Sequence, residues 1–177
     1  MKKIYLSEAK LEDAKFLLEL WTDPEVTKFT LVRNVKSVED CEERLGRHLS
    51  WKEKGAIGPF LILDGGEFAG YCGGNLLDAG NDYEIFYQLK KDKWGRGYGT
   101  QIVKLLLEIG FRENGADNII ARAAAGNAAS WKILEKAGFN RVGTDKNGFD
   151  ADGKKFDMYT YRIERQGWVR MKPRMRI

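Results

Sequence analysis

The sequence predicts an α/β (α+β) domain built around one sheet. Apolar residues switch repeatedly between a period of two, which marks strands, and a period of 3.6, which marks helices. Three strand-like runs stand together in mid-chain, with helical patterns before and after them. The 177 residues contain only 3 prolines and no linker, repeat or low-complexity segment. A domain of that length buries roughly 70% of the surface its unfolded chain exposes.

Ile4 to Ala9 reads as the first strand. Glu12 to Trp21 reads as a helix, with Leu11, Ala14, Leu17, Leu18 and Trp21 on one face and a stop near Asp23-Pro24. Ser37 can cap a second helix, since Asp40 stands three residues on and the stripe Val38, Cys41, Leu45, His48, Leu49 and Lys52 follows. Gly55 and Gly58-Pro59 are expected to end it. Phe60–Leu63, Phe68–Cys72 and Tyr83–Leu89 are the three central strands, the first two joined by the turn Asp64-Gly65-Gly66. Gly95 to Gly110 is a helix that turns Ile102, Val103, Leu105, Leu106 and Ile109 inward. A strand at Asn118–Ala123 and a helix at Ala128–Ala137 follow. Two strands, Arg141–Thr144 and Phe156–Ile163, close the chain around a turn-rich segment, Asp145–Lys155.

Charge and composition narrow the function. The net charge of +4 suggests nucleic acid, but Arg165, Arg170, Lys172, Arg174 and Arg176 all fall in the last thirteen residues, without an acid among them. Residues 1–164 then hold 25 basic against 26 acidic side chains, so no basic stripe belongs to the body. Residues 1–164 are expected as one domain and 165–177 as a flexible basic tail. Nucleic acid is an unlikely partner except through that tail. No apolar run approaches the ~18 residues of a membrane span, and no signal peptide is expected behind Met1-Lys2-Lys3. Cys41, Cys72 and His48 fit no zinc pattern, so no metal is expected. His48 reads as a helix-face residue rather than the base of a Ser-His-Asp site. These features suit a cytoplasmic protein with two free thiols.

The chemistry is concentrated in Trp94-Gly95-Arg96-Gly97-Tyr98-Gly99-Thr100, which follows a strand and opens a helix. A helix N-terminus presents unpaired N–H groups and partial positive charge, a site for phosphate. Arg96 adds a full charge. The segment lacks a Walker A pattern, and its G-x-G-x-G spacing is not the dinucleotide fingerprint. A second segment runs Asn127-Ala128-Ala129-Ser130 through Lys136-Ala137-Gly138-Phe139, 28 residues after Gly99.

Together these segments resemble the GCN5-related N-acetyltransferases, the GNAT family. The glycine-rich loop is similar to that family's pyrophosphate motif, and the Asn127 segment to the helix after its fifth strand. The resemblance covers residues 3–164, and the loop is most similar to the RimJ/RimL branch, the ribosomal-protein N-acetyltransferases. It implies a mixed, mostly antiparallel sheet of about seven strands with helices on both faces, splayed between strands 4 and 5. It also implies acetyl-CoA as co-substrate, an amine acceptor, and a monomer or homodimer. Three departures stand out: Trp94 holds the first motif position, often Gln or Arg in the wider family, Gln101 replaces the branch's common acid, and Leu134 occupies the position where many relatives place a tyrosine general acid.

The resemblance assigns roles residue by residue. Gln88, Leu89, Lys90 and Lys91 would bond the pantetheine arm through their backbones. Gly95, Arg96, Gly97, Tyr98, Gly99 and Thr100 would cradle the pyrophosphate. Asn127 would bond the arm at the splay or serve as an ordinary N-cap, or both. Glu84, opposite Tyr83, Ile85 and Tyr87 on its strand, is the candidate base or else a solvated carboxylate. Ser130 is the candidate proton donor to the thiolate, further bonds the arm, or only packs in its helix. Trp21, Phe29 and Asp150, with Asp23 and Glu25, would form an aromatic, acidic pocket for a cationic amine. Two other readings stay open: a non-catalytic CoA-binding protein, and a ribosome- or RNA-associated protein acting through its tail.

Overall fold

The computed structural model describes residues 3–77 and 80–171. Seven strands form one sheet: β1 (Ile4–Glu8), β2 (Ile57–Asp64), β3 (Glu67–Leu76), β4 (Asp82–Leu89), β5 (Asn118–Ala124), β6 (Asn140–Ala151) and β7 (Lys154–Glu164). Their order is β1-β2-β3-β4-β5-β7-β6. Every neighbouring pair is antiparallel except β4 and β5, which run parallel. That pair is registered only from Asp82↔Asn118 to Glu84↔Ile120, and beyond it the strands part. The expected splay is therefore present.

The helices are α1 (Ala14–Thr22), α2 (Pro24–Thr27), α3 (Val38–Glu53), α4 (Tyr98–Glu108), α5 (Ala128–Lys136) and α6 (Arg165–Met171). Strand alternation divides the core between the two faces. Tyr83, Ile85 and Leu89 of β4 join Ile102, Val103, Leu106 and Leu107 of α4 and Leu134 of α5 in one cluster. Leu61 of β2, Tyr71 of β3 and partly buried Phe86 of β4 pack with Leu17, Leu20 and Trp21 of α1 and Leu45 of α3 in the other. Each fully buried aliphatic side chain contributes roughly 1.5–3 kcal/mol against solvent exposure. Ser37 caps α3 reciprocally: its Oγ accepts from Asp40 N at 3.3 Å, and Asp40 Oδ2 accepts from Ser37 N at 3.0 Å.

Several expectations are corrected. Helix α4 starts at Tyr98, because Gly95 and Gly97 hold φ of 71° and 77°, a left-handed backbone incompatible with a helix. Its inward face carries Leu107, while Leu105 and Ile109 are half-buried. Gly58-Pro59 does not precede a strand but lies inside β2, where the register with β3 shifts between Ile57 and Phe60. The segment Asp145–Lys155 is mostly strand, bulged between Asp145 and Phe149, with its turn at Asp152-Gly153. Burial of Phe149 and Ala151 against Ala124, Phe29 and Phe156 extends the pairing. The tail expected to be flexible begins as α6. Trp168 is buried against Phe111 with ring centroids 5.0 Å apart. Arg165 donates to Phe111 O at 2.6 Å and Ala116 O at 2.5 Å. Residues 172–177 lie outside the described residues.

Candidate active site

The loop entering α4 is fixed from beneath. Buried Lys93 donates to Asp64 Oδ2 at 3.1 Å and to Glu67 Oε2 at 3.4 Å, and these carboxylates raise its pKa. Trp94 Nε1 donates to Leu89 O at 2.9 Å, and Arg96 Nη2 to Asp92 O at 2.9 Å. Gln101 N donates to Gly97 O at 3.4 Å, the first rung of α4. The N–H groups of Tyr98, Gly99 and Thr100 precede that ladder and are the natural donors to an anion. A Cβ on Gly95 would meet nothing within 4 Å, so the loop is open there.

The three glycines differ in purpose. Gly95 and Gly97 supply backbone conformation. Gly99 supplies space: a Cβ there would lie 2.7 Å from Ile133 Cδ1 of α5 and 3.5 Å from Tyr87 Cε2 of β4. It sets how closely the first turn of α4 approaches α5 and β4.

Strand β4 leads into this loop with its far edge unpaired by β5 after Glu84. Not all of its backbone is open. Lys90 N donates to Ala69 O at 2.9 Å, and Lys90 O accepts from Lys93 N at 3.0 Å. The carbonyls of Leu89 and Lys91 accept from Trp94. Lys90 and Lys91 turn their ammonium groups to Glu19 at 2.9 Å and Glu25 at 3.1 Å. Gln88 Oε1 accepts from Trp21 Nε1 at 2.7 Å, which ties β4 to α1.

Glu84 lies on the last paired rung, on the α1/α3 face, with Oε1 3.4 Å from Arg122 Nε of β5. Across the splay, Asn127 caps α5, its Oδ1 accepting from Ser130 N at 3.3 Å. The capping role is thus present, and the amide nitrogen of Asn127 remains available as a donor by its chemistry.

Tyr87 stands on the other face of β4, packed against the α4/α5 core. Its hydroxyl is buried. Burial pushes the phenol pKa up, and the Ser130 side chain beside it opposes the rise.

The acceptor-side residues separate. A cavity of about 210 Å³ is lined by Trp21, Thr22, Lys28, Val32, Arg33, Asp152 and their neighbours. Trp21 is among the lining residues. Phe29 instead packs against Phe156 and Phe149, with centroids 5.4 and 6.2 Å away, docking the 28–35 loop onto the β6–β7 hairpin. Asp150 accepts from Gly153 N at 2.6 Å and closes the hairpin turn. Asp23 caps α2, and Glu25 holds Lys91. The cavity lining carries both signs of charge, Lys28 and Arg33 with Asp152.

Beneath β4 lies an aromatic group of Trp21, Tyr71, Phe86 and His48. His48 Nδ1 is 2.7 Å from Tyr71 Oη, and burial with the nearby Arg44 and Arg47 charges pushes its pKa down to about 4. It is a neutral core residue at pH 7. Burial raises both thiols, Cys41 to about 11, so neither is an activated nucleophile.

Residues 3–140 match the acetyltransferase (GNAT) domain family. Among curated proteins, the chain is 28% identical to the uncharacterized N-acetyltransferase p20 of Bacillus licheniformis, over 92% of this chain and 93% of that protein. It is 23% identical to the uncharacterized N-acetyltransferase YnaD of Bacillus subtilis, over 94% and 96%. The fold is similar to that of RimL, a ribosomal L7/L12 alpha-N-protein acetyltransferase in complex with coenzyme A (TM-score 0.85, 18% identity, 93% and 95% of the two chains). It is also similar to the spermidine N-acetyltransferase of Vibrio cholerae in complex with CoA and spermine (TM-score 0.84, 17% identity, 94% and 98%). With the parted strands, the left-handed loop glycines and the free first turn of α4 all in place, this chain belongs to the GNAT acetyltransferase family.

Proposed function

We propose that the protein is an acetyl-CoA-dependent N-acetyltransferase of the RimJ/RimL type, transferring acetyl directly to a primary amine in a ternary complex. One observation carries the reading: β4 and β5 part at Glu84, beside a helix N-terminus whose donors face an open loop. Acetyl-CoA supplies the acetyl group and a thiolate leaving group. The first turn of α4 with Arg96 holds the pyrophosphate, the open edge of β4 with Asn127 orients the arm, and Glu84 takes the proton of the attacking amine. The amine's lone pair forms the N–C bond, the C–S bond breaks with its electron pair on sulfur, and the amine proton goes to Glu84 directly or through water. Ser130, in the first turn of α5, stands on the sulfur side.

Several features support an N-terminal α-amine as the acceptor. The cavity lining carries Lys28 and Arg33 against Asp152, a poor match for a polycation. Glu19, Asp23 and Glu25 are already engaged by Lys90, a helix cap and Lys91. An α-amine of pKa 7.7–8.0 is neutral in roughly one molecule in ten at pH 7, against about one in 2,500 for an alkyl amine. We place the reaction in the cytoplasm; among the described residues no helix is long and apolar enough to cross a membrane.

A thiol-release assay with purified protein tests this. Peptides with free N-termini should release CoA, whereas the same peptides blocked at the N-terminus should not. Turnover on spermidine alone would replace the acceptor class. CoA binding without turnover on any amine would leave a binding protein in place of an enzyme.

A further inference from the structure

Lys93 and Asp64 are the two charged residues that the fold buries among the described residues, each 7% exposed. Both bear on one short segment. Asp64 ends β2, pairs with Glu67 of β3 across the Gly65-Gly66 turn, and accepts from Lys93 Nζ at 3.1 Å. Lys93 stands two residues before Gly95 and closes a single turn, its N–H donating to Lys90 O at 3.0 Å. On the far side of the glycines Tyr98 opens α4, and burial, then the nearby Asp64 carboxylate, push its phenol pKa up. One carboxylate of the β2–β3 hairpin therefore reaches both ends of residues 94–97. A buried ion pair is a poor way to stabilise a fold, because an apolar pair of similar volume is often at least as stable. What it supplies is direction, since an ammonium held by fixed carboxylates admits few arrangements. Direction matters at this point: Gly95 and Gly97 hold φ of 71° and 77° and have no side chain to fix them.

We propose that Lys93 and Asp64 are positioning residues for CoA: the buried pair locks residues 94–97 so that the N–H groups at the start of α4 meet the pyrophosphate without reordering the loop. This role rests on the acetyltransferase reading above. The charge of Lys93 is answered by Asp64 and by the exposed Glu67 at 3.4 Å, so its effect on a phosphate passes through the shape of the loop. A loop already in its bound shape spares the ordering cost that binding would otherwise carry.

The test needs no acceptor: CoA binding to the full chain is measured by calorimetry beside thermal melts. The double variant Asp64→Leu/Lys93→Met replaces the ion pair by apolar packing. It should melt close to the wild type yet bind CoA about tenfold more weakly or worse. Lys93→Arg, which keeps the charge, should lose less affinity than Lys93→Met. Asp64→Asn keeps the shape of the side chain but not its charge, and should by itself weaken CoA binding several-fold. A double variant that melts and binds CoA like the wild type would overturn the proposal, because the pair would then serve only the fold. If the double variant does not fold, wild-type CoA affinity in Asp64→Asn overturns it instead. Either result leaves the acetyltransferase reading standing. Failure of the wild-type protein to bind CoA would remove both readings.

Discussion

Glu84 and Arg122 meet 3.4 Å apart where β4 and β5 cease to pair, Glu84 on the last common rung and Arg122 two residues beyond its partner Ile120. The arginine side chain is 54% exposed and the carboxylate 25%, so the pair contributes at most about 1 kcal/mol to stability. On the proposed function, its value lies in holding the carboxylate where β4 and β5 part. Glu84→Gln is expected to lower kcat by roughly 100-fold with little change in melting temperature. Arg122→Ala should cost less, and the double variant should be no worse than Glu84→Gln. Independent, multiplying losses in steady-state kinetics would show that the two side chains do not act together.

The loop glycines should fail in different ways. Gly97→Ala forces a side chain onto a φ of 77° at a cost of about 1–2 kcal/mol, and should weaken CoA binding by distorting the first turn of α4. Gly99→Ala keeps allowed dihedrals but drives a methyl to 2.7 Å from Ile133 Cδ1. Adding Ile133→Val should recover part of its stability, and should do nothing for Gly97→Ala. Calorimetric CoA binding alongside thermal melts separates the two.

His48 makes stability pH-dependent. Its folded pKa of about 4 lies below the usual 6.5, so the unfolded chain binds the proton more readily. The associated stability is complete above pH 6.5 and is lost as pH falls towards 4, by at most about 3 kcal/mol. His48→Gln should flatten the urea-denaturation profile across that window. An unchanged acid slope would show that His48 is not the group responsible.

Trp168 ties α6 to Phe111, and its loss should be felt in the core. Trp168→Ala is expected to destabilise by about 3–5 kcal/mol, as should truncation after Glu164. A truncated chain that melts like the full one would mean that α6 only rests on the domain.

Phe29 docks the 28–35 loop onto Phe149 and Phe156. Phe29→Ala should raise KM for the acceptor several-fold while leaving KM for acetyl-CoA within about twofold, since a loosened loop disturbs only the acceptor side. Equal changes in both constants would place Phe29 outside acceptor binding.

Local signals carried much of the architecture. Two-residue alternation set Tyr83, Ile85 and Tyr87 on one face of β4 and Glu84 on the other, and the structure follows it: the first three pack in the cluster of α4, while Phe86, two residues on from Glu84, packs in that of α1 and α3. Ser37 and Asp40 marked the start of α3, and the glycine-rich segment marked the turn that opens α4. The β6–β7 segment was misread because Asp145, Asn147, Gly148 and Gly153 are turn formers, whereas its pairing depends on Phe149 reaching Phe29 and Ala124. The acceptor side was misread for a similar reason. Asp150, Asp23 and Glu25 have the right charge for a cationic amine, but a hairpin turn, a helix cap and Lys91 occupy them.

By itself the sequence determined the strand and helix order, the family resemblance, and the helix terminus that can receive phosphate. All three are properties of neighbours along the chain: periodicity, caps and glycine spacing. Tertiary structure decided which side chains meet. It set Arg122 beside Glu84, gave Gly99 to the packing of α5, engaged the acids of the expected pocket, and buried the Tyr87 hydroxyl beside Ser130. Those outcomes depend on strands that part after three shared rungs and on contacts between residues far apart in sequence, which no local pattern encodes.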